Sequence, residues 1–417
     1  MTTVEDLPRN APHIDLLDPK SYLNGQPIDQ MLYLQEHDPV HWHPDPEGGP
    51  GFWALTRFND IKKVQGNPGL FSSFPTVTVP DGTSLGDGKN YCHLIMTDPP
   101  AHTVRRRHIA QELLPASVKD MTAHVDGIVT TILDEVCEAG ECDLVNDIAG
   151  KLAAWVTADL MGVPRPDMVR MYEIADRIIN TRDLTSGDGL EAAMELQAYS
   201  QAVWDDRRKT PRGDMVSRYA HDVVGGKEPE YGQFALDFLL IFGAAGDTTR
   251  NVVGGGMAVL FDNPAEHDKL RRDPGLINSG VEEMLRWVTP IVYQRRTAQA
   301  DTEIGGQQIK AGAKVANFFT AANRDPSVFP DPMRFDVERT PNNHMAFGFG
   351  PHFCLGSHLA RLELRLMFRE LMRRLPDLQP SAPIAWSRPD LEIAPIVVGP
   401  HSMPVRFTPS PRSDHAA

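Results

Sequence analysis

The stretch Phe347-Gly348-Phe349-Gly350-Pro351-His352-Phe353-Cys354-Leu355-Gly356 decides how the rest of this chain is read. Its glycines and proline permit a tight turn in which backbone N–H groups converge on one side chain, and Cys354 stands at the end of that turn. From Ser357 to Phe368 apolar residues recur at helical spacing, so the cysteine falls at a helix N-terminus. Backbone donors aimed at sulfur and the positive end of a helix dipole both lower a thiol pKa and suit a metal-ligating sulfur. A lone cysteine behind a glycine turn is more often a small buried hydrophobe, so the flanking pattern has to separate the two readings.

That pattern resembles the haem-ligand loop of the cytochrome P450 superfamily, Phe-x-x-Gly-x-Arg/His-x-Cys-x-Gly. Phe347, Gly350, His352, Cys354 and Gly356 match every specified position, with Gly348 inside the same turn. The resemblance implies that Cys354 is the axial thiolate of a b-type haem, an iron protoporphyrin IX, with Cys354 as the only protein ligand to the metal.

Tyr231 to Asp262 reads as one long apolar helix, of a length that crosses a protein interior. Its middle, Gly243-Ala244-Ala245-Gly246-Asp247-Thr248-Thr249, is a poor helix interior, because small residues and a carboxylate stand where burial should be deepest. One explanation is structural, with Thr248 hydrogen-bonding back to the Ala244 carbonyl and bending the helix. The other comes from the resemblance: the family's Ala/Gly-Gly-x-Asp/Glu-Thr-Thr/Ser motif matches Ala244, Asp247, Thr248 and Thr249, which implies that Asp247 and Thr248 are catalytic and pass protons to dioxygen. The chain departs from the motif at Ala245, where glycine is usual, while Gly246 takes the variable position.

Three further motifs lie in family order. Asp98-Pro99-Pro100-Ala101-His102 opens a helix in which His102 and Arg106, four apart, share one face. By resemblance they hold one haem propionate, Arg296 in the strand 292–298 reaches the other, and His352 completes the cationic set. Arg105 and Arg107 are read as solvated surface. Glu283 and Arg286 resemble the family's Glu-x-x-Arg core element, completed by a later arginine; Arg334 is the closer match and Arg339 the alternative. These three are assigned to the fold and to haem retention.

Helical periodicity dominates from Val118 to about Tyr219. Short strands are expected at 40–43, 52–55, 392–398 and 405–407, and a hairpin at 301–309 turns on Gly305-Gly306. The fold class is therefore mainly α with small β sheets. The resemblance implies the cytochrome P450 fold as a single domain over 1–417, haem lying between the long helix and the helix after Cys354, with about 1–20 and 408–417 poorly ordered. The stretch from Phe74 to Ile95 has no sustained period, and a loop of that length is more often functional than idle.

Composition narrows the function. A net charge of −15 argues against a nucleic-acid binder, and no apolar run approaches the roughly 20 residues needed to cross a membrane. Cys92, Cys137, Cys142 and Cys354 show no zinc or redox spacing. Without a basic, apolar leader the expected location is the cytoplasm of a bacterium.

The expected activity is that of a monooxygenase hydroxylating a small lipophilic substrate, a terpenoid, steroid or alkyl compound, with dioxygen. Because no flavin or iron–sulfur motif is present, its electrons come from a ferredoxin and ferredoxin reductase. Arg105, Arg107, Arg361, Arg365, Arg369, Arg373 and Arg374 are candidates for a basic docking patch. Phe74, Val77, Val79, Leu240, Gly243, Ala244, Ile291, Val292, Ile396 and Val397 are expected to line an apolar pocket. A peroxide-driven peroxygenase and a non-catalytic haem sensor or carrier are the alternative readings.

Overall fold

A computed structural model describes residues 13–45, 48–80, 92–179, 187–223, 226–386 and 394–413. Ile28–His37 (α1) leads into a five-stranded sheet built from Val40–His43 (β1), Phe52–Leu55 (β2), Phe71–Ser72 (β3), Tyr293–Ala298 (β5) and Lys314–Phe318 (β8). Its order is β1-β2-β8-β5-β3, parallel between β2 and β8 and antiparallel elsewhere. All four residues of β2 are buried: Trp53 and Leu55 pack with Phe58–Gln65 (α2) and Phe319–Ala322 (α13), and Phe52 and Ala54 with Met31 and Leu34 of α1. Thr302–Ile304 (β6) and Gln307–Ile309 (β7) form the expected hairpin, with Gly305 and Gly306 at φ +56° and +83°. Glu141–Asp143 (β4), Gln379–Pro380 (β9) and Pro404–Arg406 (β10) make a small third sheet.

The rest is helical. Ala101–Ile109 (α3), Pro115–Asp120 (α4), Thr122–Val136 (α5), Gly150–Met161 (α6), Arg165–Ile179 (α7), Gly187–Lys209 (α8) and Met215–His221 (α9) precede Tyr231–Asp262 (α10), the long helix read from the sequence. Pro264–Arg272 (α11), Ile277–Val288 (α12) and Ser357–Arg374 (α14) follow. One apolar cluster joins α5, α6, α7, α10, α12 and α14, so α10 runs through the middle of the core. Close packing there depends on missing side chains: a Cβ at Gly255 would lie 2.9 Å from Val288, and one at Gly256 2.7 Å from Phe368.

Three boundary expectations change, and a fourth falls partly outside the described residues. The chain is packed from Ile14, and Leu16 is fully buried, so order begins before residue 20. At the other end, the Thr408 N–H donates to Asp377 and the Ser413 N–H to Asp134 at 3.0 Å, so the segment expected to fray is held as far as residue 413. The expected strand 392–398 reduces to one bridge between Ile291 and Val397, and its residues 392–393 lie outside the described residues. In the unperiodic stretch 74–95, residues 81–91 lie outside the described residues.

Candidate functional site

The cysteine loop is shaped by two left-handed glycines, Gly348 at φ +71° and Gly350 at φ +73°. Side chains rarely adopt this conformation, and a Cβ at Gly350 would meet the Gln65 carbonyl at 2.4 Å, so the loop rests directly on the end of α2. The Cys354 N–H donates to the Phe347 carbonyl at 2.8 Å and closes the turn. Arg361 stacks over the Phe347 ring at 4.4 Å, and is itself fixed by Glu282 at 2.7 Å. Burial pushes the Cys354 thiol pKa up, against the pull of the Gly356 backbone donor, Arg106 and Arg361.

Around this loop four cationic or protonatable groups converge. The His102 and His352 rings lie 4.2 Å apart, and the Arg106 guanidinium donates to the Phe353 carbonyl at 2.6 Å. Arg296 is 2% exposed and donates to Gln65 at 2.7 Å. Burial first and neighbouring positive charge second push His102 down to about 4 and His352 to about 2, and burial lowers Arg296 to about 10. Asp98 is the acidic group that offsets this for His102 and Arg296, and it is anchored elsewhere by Ser72 and the Ser73 N–H. The buried Nδ1 of His102 has no hydrogen-bond partner among the described residues. Two guanidiniums, Arg106 and Arg296, beside two imidazoles that burial keeps neutral, one with an unpartnered ring nitrogen, fit an anionic group such as a pair of carboxylates.

Ala244 is exposed in the middle of α10, between half-buried and buried neighbours. The Thr248 hydroxyl donates to the Ala244 carbonyl at 2.9 Å, and Asp247 pairs with Arg250 at 3.1 Å. Thr249, on the next face, hydrogen-bonds Glu363 of α14, and burial lifts that carboxyl to about 8.

Two assignments are corrected. Glu283 forms a buried fork with Arg286, at 2.7 and 2.8 Å, and the second arginine on Glu283 is Arg339, at 3.1 Å. Arg334 is exposed and contributes its backbone carbonyl, which accepts from Arg286 and Arg339. Arg105, expected at the surface, turns inward to the fully buried Asp237 at 2.6 Å. The other arginines of the presumed patch are largely paired: Arg361 and Arg365 with Glu282, Arg369 with Asp126, Arg373 with Glu370 and Arg374 with Asp134. Arg107 is exposed.

The apolar candidates divide among packing groups. Val79, Val292 and Ile396 pack in one cluster, with the Val292 N–H donating to the Ile396 carbonyl at 2.9 Å. Ile291 packs on the five-stranded sheet and bridges to Val397. Val77 packs with Cys92 and Met96, Leu240 joins the main core, Phe74 is half-buried, and Gly243 lies beside Ala244 on α10. Gln65, Ser73, Glu282 and Glu363 were missed as site residues; Ser73 reaches His352 at 3.1 Å from 279 positions away.

The cytochrome P450 family profile matches residues 221–376. A steroid C26-monooxygenase of Mycobacterium tuberculosis is 36% identical over 407 residues, which is 96% of this chain and 98% of the relative. The chain belongs to the cytochrome P450 superfamily. A methyl-branched lipid omega-hydroxylase, also of Mycobacterium tuberculosis, is 32% identical to this P450 over 90% of each chain. Among solved structures, the Mycobacterium marinum P450 in complex with pseudoionone superimposes with a TM-score of 0.84 at 33% identity, covering 96% of this P450 and 99% of that chain. The protein is thus a P450 monooxygenase with the P450 fold, and such enzymes use a haem-thiolate cofactor. No helix among the described residues is long and apolar enough to cross a membrane.

Proposed function

We propose that this P450 binds haem b through Cys354 and hydroxylates an aliphatic carbon of a lipophilic molecule. The observation that carries the reading is the convergence on the cysteine loop of the Arg106 and Arg296 guanidiniums and the paired His102 and His352 rings. Cys354 would ligate the iron, while His102, Arg106, Arg296 and His352 would hold the two propionates. Bound there, the haem supplies dioxygen activation and transfer of one oxygen atom.

This chain's own groups do the rest. Asp247, partly exposed beside Arg250, exchanges protons with solvent, and Thr248 holds one at Oγ1 against the Ala244 carbonyl. Ala244, Gly243 and Leu240 on α10, with Ile291, Val292, Ile396 and Val397, would line an apolar pocket that holds a substrate by shape. Relatives named for a steroid C26 position and for a lipid omega position favour a chain-terminal methyl group as the carbon oxidised. A ferredoxin and its reductase in the cytoplasm would supply electrons, docking where Arg107 and Phe353 are exposed beside the cysteine loop.

The deciding experiment is the absorption spectrum of the reduced, carbon-monoxide-bound protein beside Cys354→His. A strongly red-shifted Soret band that disappears in the variant is expected; a band at the position of histidine-ligated haems in the wild type would overturn the assignment.

A further inference from the structure

The family motif has glycine where this chain has Ala245, and glycine stands one residue later. Gly246 is buried, and a Cβ built on it would lie 2.4 Å from Cε1 of Tyr172 on α7, 2.7 Å from Cζ and 2.8 Å from Cδ1. The ring cannot swing aside without loss, because its hydroxyl donates to the Ala153 carbonyl of α6 at 3.0 Å and its face packs into the main core. Successive residues of a helix turn by about 100°, so residues two apart point to nearly opposite sides. Gly246 meets Tyr172 on one side of α10; Ala244 and Thr248 therefore face the other, and Ala244 is exposed there. Anything that presses on Gly246 displaces the Asp247-Thr248 turn straight toward the site.

We infer that Tyr172 is a positioning residue: seated on the bare backbone of Gly246 and pinned to Ala153, it sets the height of the Asp247-Thr248 turn over the site. The displaced glycine is then explained. Position 245 flanks the contact and accepts a methyl group, whereas position 246 lies under the ring and does not. The inference also joins α7 mechanically to the turn that holds the proton. It rests on the monooxygenase reading above.

The test uses holoprotein and imidazole as a small ligand of the site, titrated by the Soret shift. In parallel, peroxide released per NADPH consumed is measured with a ferredoxin and reductase pair. Gly246→Ala should weaken imidazole binding about tenfold and raise the peroxide fraction, with the reduced carbon-monoxide band intact. Gly246→Ala combined with Tyr172→Ala should bring imidazole affinity back to within about twofold of Tyr172→Ala alone, a rescue that general destabilisation would not give. Gly246→Ala with wild-type imidazole binding and peroxide yield, or a double variant as impaired as Gly246→Ala, overturns the inference. If Gly246→Ala does not accumulate with haem, Tyr172→Leu carries the test: an imidazole affinity changed about threefold or more supports positioning, and an unchanged one overturns it. A wild-type protein lacking the red-shifted band would instead overturn the monooxygenase reading, and the inference with it.

Discussion

Glu363 shows how a single buried acid sets a pH dependence. It is 4% exposed, and burial lifts its carboxyl to about 8 against 4.5 for the ordinary side chain, so the folded protein keeps it protonated at neutral pH. A raised folded pKa contributes stability that is full below the unfolded value and is lost as pH rises to the folded one. Stability should therefore decline from about pH 4.5 to 8, and Glu363→Gln should match the wild-type Tm at pH 5 and exceed it at pH 9. Equal Tm values at both pH values would refute this. A second prediction concerns the turn across the helix: Thr248→Ala should retain haem and the carbon-monoxide band while most reducing equivalents leave as peroxide, and wild-type coupling would end its proton-holding role. That His102 and Arg106 come to lie beside His352 and the cysteine loop was legible, because both pairs sit in local motifs. Gln65 and Ser73 were not, since a polar residue that hydrogen-bonds across 231 or 279 positions leaves no mark on its neighbours.

Among the elements, α12 is tied to the segment before the cysteine loop chiefly through the Glu283 carboxylate, with Glu282 adding a contact to His344 at 3.1 Å. Glu283 accepts from Arg286, Arg339, Asn342 and the Asp336 N–H, all at 3.2 Å or less. Arg339 also donates to the Pro330, Asp331 and Arg334 carbonyls. Arg339→Ala should thus cost about 2–4 kcal/mol in denaturant unfolding, while Arg334→Ala, at an exposed position, should stay within about 0.5 kcal/mol. The reverse order would restore the sequence-based assignment. Elements with a long apolar period or a glycine turn, such as α10 and the β6–β7 hairpin, were readable from the chain alone. The 392–398 strand was not, because strand propensity does not say whether a partner runs alongside for one residue or five.

Over the whole molecule, Asp237 is the point where distant parts meet. From α10 it accepts from Arg105 of α3 at 2.6 Å, from Tyr219 of α9 at 2.7 Å and from the Leu94 N–H at 3.1 Å. Asp237→Ala would strand a largely buried guanidinium and is expected to cost about 3–5 kcal/mol, with loss of haem content because α3 carries His102 and Arg106; unchanged stability and haem content would remove Asp237 from this role. The partnership was invisible in the sequence, where Arg105 lies between exposed and half-buried basic neighbours and its acid stands 132 positions away. The Ile291–Val397 bridge has a different bearing. It is one residue pair long and joins a segment after α12 to a segment before β10, and neither carries the cysteine or the cationic set. With these residues in the proposed pocket, substitutions at the two positions would rewrite the shape offered to a substrate a few codons at a time while Cys354 and the groups around it stay untouched.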